Sequence, residues 1–117
     1  MSKLEFFREE TTKLMRFLLK FRIPIEAGNK ALDDPEFGNK MQQLLTELNA
    51  ETAYFTAMEG QRGGYIVVNF DDASKIPVLA EPLFFWLKAD VEFIPVMLPE
   101  DLAKAGTGID AALKKWR

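Results

Sequence analysis

Three cations, Arg16, Lys20 and Arg22, stand at even spacings within the stretch MRFLLKFRIP. Even spacing puts them on one face of a β-strand, while Phe17, Leu19, Phe21 and Ile23 fall on the other. In three later apolar segments the same alternation assigns Tyr54, Tyr65, Asn69 and Glu92 to the cationic face. This set has the chemistry to hold a small planar anion. One or two cations would take a carboxylate or phenolate, the tyrosines would stack on a ring or hydrogen-bond it, and Glu92 would serve as a base if burial raised its pKa. The structural alternative pairs Glu92 with an arginine across neighbouring strands and packs the tyrosines at a subunit contact; strand-borne ions are more often paired than catalytic.

A second group, Glu26, Asn29 and Glu81, is expected at the mouth of such a site. Glu26 and Asn29 share one helical face just after the first strand, and Glu81 precedes Pro82 where a helix break would open space. Capping or loop fixing is the plainer role for the first two, and core packing for the aromatic run Phe84, Phe85 and Trp86 beside the third. The glycines of EGQRGG suggest an anion-cradling loop only weakly, because no strand-to-helix junction follows them; a hairpin turn is the expected reading.

Much chemistry is excluded by what the chain lacks. It contains no cysteine and no histidine. Disulfides, thiolate nucleophiles, zinc ribbons, iron–sulfur clusters, His-ligated haem and Ser-His-Asp catalysis are therefore outside its means. No metal site and no cofactor are expected. With 15 basic and 18 acidic residues the net charge is -3, and the basic residues form no long run, so no nucleic-acid partner is expected. No apolar run approaches the roughly 20 residues of a membrane span, and charges interrupt the N-terminus where a secretory signal would be apolar. A cytoplasmic protein without membrane attachment is expected.

The elements that must position these residues follow from periodicity. After the first strand, IEAGNKALDD reads as a short helix or turn, and DDPEFGNKMQQLLTELN as a helix capped by Asp34 with Pro35 at its first position. TAYFTAM and YIVVNF read as antiparallel strands joined by EGQRGG, with its glycines at the turn. ASKIPVLAEPLFFWLKA reads as a helix kinked or broken near Glu81 by its prolines. DVEFIPVML is a fourth strand, and a C-terminal helix starts at Pro99, pauses at Gly106 and Gly108, and resumes. The chain thus divides into an N-terminal extension, 1–14, and one domain, 15–117. The extension is expected to be dispensable, and Met15 to be a possible alternative start. The domain is α+β, ferredoxin-like β-α-β-β-α-β with a C-terminal helix, two helices covering one sheet face. The other face is too apolar to be wet and too charged to be a core, which predicts a homodimer enclosing a shared cavity.

The segments FLLKFRIPIEAGNKAL, RGGYIVVNFDD and LKADVEFIPVMLPEDL resemble a family of short uncharacterised bacterial proteins within the dimeric α+β barrel group. The resemblance spans about residues 15 to 105 and rests on structural signatures. It implies the barrel fold and dimerisation, and it carries no catalytic residue. The wider group includes monooxygenases of aromatic polyketides, muconolactone isomerases and haem degraders; the last typically use a histidine ligand, which this chain lacks. The leading expectation is a small dimeric barrel that binds a small anionic or aromatic ligand. The alternative is a cofactor-independent monooxygenase or isomerase acting on an aromatic or enolic acid. A third reading, an oligomerising interaction protein, would expose an apolar patch around Leu113 and Trp116.

Overall fold

The computed structural model describes residues 14–117. Apart from Leu14, the N-terminal extension expected over 1–14 lies outside the described residues. Within them the order is β1 (Met15–Ile23), α1 (Ile25–Leu32), α2 (Phe37–Glu47), β2 (Thr52–Met58), β3 (Gln61–Phe70), α3 (Lys75–Leu87), β4 (Asp90–Pro95), α4 (Pro99–Lys104) and α5 (Gly106–Trp116). The protein is α+β, with one antiparallel sheet of four strands in the order β2-β3-β1-β4; two helices separate β1 from β2 and two follow β4, so the expected β-α-β-β-α-β order with two covering helices and one C-terminal helix is not matched exactly.

Alternation along β1 sorts its side chains as the sequence requires. Leu19, Phe21 and Ile23 are buried, and their register partners in β3 bring Ile66 and Gly64 to the same face. Ala31 of α1, Leu44 and Leu48 of α2 with its cap, and Leu83 and Leu87 of α3 close over them in one core cluster. Each large side chain buried fully there contributes about 1.5–3 kcal/mol. At one end of the core, Phe17 stacks on Phe70 with ring centroids 4.2 Å apart, and Phe93 stands edge-on to both. The edge-on contacts match the quadrupole preference of aromatic rings.

Local structure departs from the sequence reading in three places. The hairpin loop is only Glu59 and Gly60, both at positive φ (51° and 77°), as a two-residue turn matching strand twist demands. Gly63 and Gly64 lie inside β3 instead, where a Cβ would strike the Phe21 backbone and the Tyr54 carbonyl respectively. The second helix begins at Phe37. Asp34 still caps the approach, its Oδ1 accepting the Glu36 N–H at 2.9 Å, but Pro35 sits in the preceding turn. Finally, α3 runs without interruption from Lys75 to Leu87. Pro77 occupies its first turn, where an absent N–H costs nothing. Pro82 is interior and denies the Val78 carbonyl its donor, on a side of the helix open to water.

Candidate functional site

Helices α1 to α3 cover one face of the sheet, and the strand registers line up the other face in rows. Thr52, Val67, Leu18 and Ile94 form an apolar row across β2, β3, β1 and β4. Tyr54, Tyr65, Lys20 and Glu92 form the next. Arg16 and Asn69 pair at one end of this face, and Arg22 and Asp90 at the other. Seven sequence-predicted side chains therefore share one surface. Glu26, Asn29 and Glu81 do not join them, because they belong to α1 and α3 in the helical layer. Glu26 lines a cleft of about 560 Å³ there with Lys30, Lys40 and Trp86. Asn29 accepts from Arg62 Nη2 at 3.0 Å, tying α1 to β3. Glu81 is exposed on α3.

Two of the three cations are neutralised by carboxylates that the alternation rule did not find. Arg16 grips Glu51 in a two-pronged contact, Nη2 donating to Oε1 at 2.7 Å and Nε to Oε2 at 3.2 Å, while Asn69 Nδ2 donates to Oε1 at 3.4 Å. The guanidinium's hydrogen bond holds the Glu51 carboxyl below the usual carboxylate range, and Glu51 in turn raises Arg16. Arg22 donates to Asp90 Oδ2 at 2.9 Å and to Glu59. Arg16 and Arg22 are thus paired within the chain, and neither is left free to take the carboxylate or phenolate that the sequence reading assigns to one or two of the three cations. Among the described residues the alternative pairing of Glu92 with an arginine does not form either. Asp90 was findable, since β4 pairs with β1 and places it opposite Arg22. Glu51 precedes β2 and Glu59 sits in the turn, where period-two reasoning has no reach.

Lys20 is different. Among the described residues it has no ion-pair or hydrogen-bond partner within the contact limits met by Arg16 and Arg22. It is half-buried between Tyr65 and Glu92, beside the apolar row. Glu92 is exposed and lacks the enclosure that a role as base would require. A single copy offers Lys20 only a depression of about 210 Å³, shared with Arg22, Glu59, Asp90, Val91 and Glu92. A larger cleft, about 510 Å³, lies at the far end of the face, where Met15, Arg16, Asn69 and Val96 meet Leu98 and Asp101. Chemically, the face offers two phenols, aliphatic walls and the Lys20 ammonium opposite the Glu92 carboxylate, with Glu59 and Asp90 engaged by Arg22 nearby, a set suited to recognition rather than bond breaking.

Among the described residues no cluster of three or more acidic, histidine or cysteine side chains is placed to hold a metal ion, and no helix is long and apolar enough to cross a membrane. No family model, curated protein or solved structure matches the chain.

Proposed function

We propose that the protein is a ferredoxin-like, dimeric α+β barrel whose two copies close their open sheet faces on one another and hold a small aromatic or otherwise planar anion against Lys20. The observation that carries this reading is a half-buried ammonium, without a salt bridge among the described residues, standing in one row with two tyrosines and Glu92 beside an apolar row. A charge so placed is costly to cover unless an anion meets it. The strand order β2-β3-β1-β4, with the helical layer on the opposite face, supports the fold assignment and leaves this surface as the one available for closure. Leu18, Val67 and Ile94 give the closure its apolar contact, and Tyr54 and Tyr65 give the cavity flat walls. In one copy the depression at Lys20 is too small and shallow for a drug-sized ligand, so the second copy completes the site.

Calorimetric titration with benzoate and salicylate tests the ligand. Native protein is expected to release or absorb heat with at least one of them. Lys20→Met is expected to weaken that binding by about tenfold or more, the worth of a charge-assisted hydrogen bond, while the number of subunits stays the same. Equal binding by Lys20→Met, or no heat with any aromatic acid, would remove Lys20 from the function.

A further inference from the structure

Beyond β4, α4 borders the cleft that Asp101 and Lys104 share with Met15, Arg16 and Asn69, and α5 follows it. Helices α4 and α5 bury no residue. Leu102, Ile109, Leu113 and Trp116 are 54%, 45%, 44% and 82% exposed. In α5, Ile109, Leu113 and Trp116 recur at intervals of four and three, which places them with Ala112 in one apolar stripe. A helix of 11 residues with no fully buried side chain is marginal in water. Isolated helices below about 12–15 residues make too few hydrogen bonds to offset nucleation. The helicity of α5 therefore needs a cover over its stripe.

We infer that α5 is an exchanged arm: Ile109, Leu113 and Trp116 dock on the body of a second copy of this chain, and the partner's arm docks reciprocally about a two-fold axis. Charge selects this occupant. Residues 14–98 carry 12 acidic and 8 basic side chains, a net charge of -4, whereas the arm ends in Lys114, Lys115 and Arg117. A second copy supplies the negative surface that this basic tip complements. Continuity selects it too. The arm leaves from the end of the open sheet face, where Leu98 and Asp101 share a cleft with Met15, Arg16 and Asn69. Closure through that face carries each arm onto the partner. Trp116 alone has about 150–250 Å² to bury, a sizeable share of the roughly 800 Å² per partner typical of a stable interface. The inference takes its partner from the two-copy reading above, but it needs neither Lys20 nor any ligand.

The full chain carrying Trp86→Phe has Trp116 as its one tryptophan. Its emission is followed on dilution alongside the sedimentation mass. Blue-shifted emission in the two-chain species, moving to the red as the mass falls to one chain, is expected. Leu113→Asp, in a helix with no fully buried residue, is expected to keep the sheet's circular dichroism, turn Trp116 red at every concentration and weaken association at least about tenfold. Red emission from a two-chain species, or unchanged association in Leu113→Asp, overturns the arm and leaves the face-to-face dimer standing. A single-chain mass throughout overturns both. Blue emission that dilution does not alter places a segment of the same chain over the stripe, and also overturns the exchange.

Discussion

At the residue scale, the basic stripe on β1 resolves into two kinds of cation. Arg16 and Arg22 have carboxylate partners, and each pair is exposed enough that water screens it, so their role is to fix geometry at the two ends of the face. Lys20 is left between them. The Arg16–Glu51 pair has a measurable signature. Glu51 has a folded pKa below its unfolded value, so its contribution to stability is present above the ordinary glutamate range, about 4.3, and is lost as pH falls through the folded value. Asp34, held down first by its hydrogen bond from Lys40, and Asp72, held down by the Ser74 backbone N–H, act in the same direction. Carbon-detected titration should therefore find the Glu51 carboxyl midpoint below the ordinary range, and Arg16→Met should return it upward. An unmoved midpoint in that variant would show that the guanidinium is not the cause. Which residues share the face was legible from alternation alone. Of the carboxylates that neutralise it, only Asp90 was within reach of strand pairing, because Glu51 and Glu59 flank strands rather than lie in them.

At the element scale, the strands were the more legible part, since period two fixes their register relative to the core. The helices were less so. Asp34 and Pro35 carry the right chemistry for a helix start, yet the chain makes one extra turn before Phe37. Gly63 and Gly64 look like turn residues, but close approach of the Phe21 and Tyr54 backbones is what requires them. In α3 the two prolines suggested a break, whereas the packing of Ala80, Leu83 and Leu87 on the sheet outweighs the local cost and keeps the helix whole. That cost should be recoverable. Pro82→Ala restores a donor for the Val78 carbonyl, and an interior proline costs up to about 3 kcal/mol relative to alanine. Thermal or denaturant unfolding should find the variant more stable by about 1 kcal/mol or more. A destabilised variant would mean that the Pro82 ring packs more tightly than its half-buried position implies.

At the scale of the whole molecule, two surfaces have the character of interfaces: the open sheet face and the arm. The first was visible in the sequence as a mixed face that suits neither water nor a core. The second was visible only as an amphipathic tail, because no local pattern tells whether a helix folds back on its own chain or reaches for another. The described residues of one copy leave both surfaces open, and the proposed two-fold dimer would cover both. The assembly is thus the claim on which the shared cavity, the anion at Lys20 and the exchanged arm all depend. Sedimentation equilibrium of the native full chain at micromolar concentrations tests it most directly, with Leu18→Asp as the companion because that substitution puts a charge into the centre of the apolar row. The expected result is a mass twice the 13.3 kDa of the chain, falling to one chain in Leu18→Asp. A native mass of one chain across the whole concentration range would contradict the account.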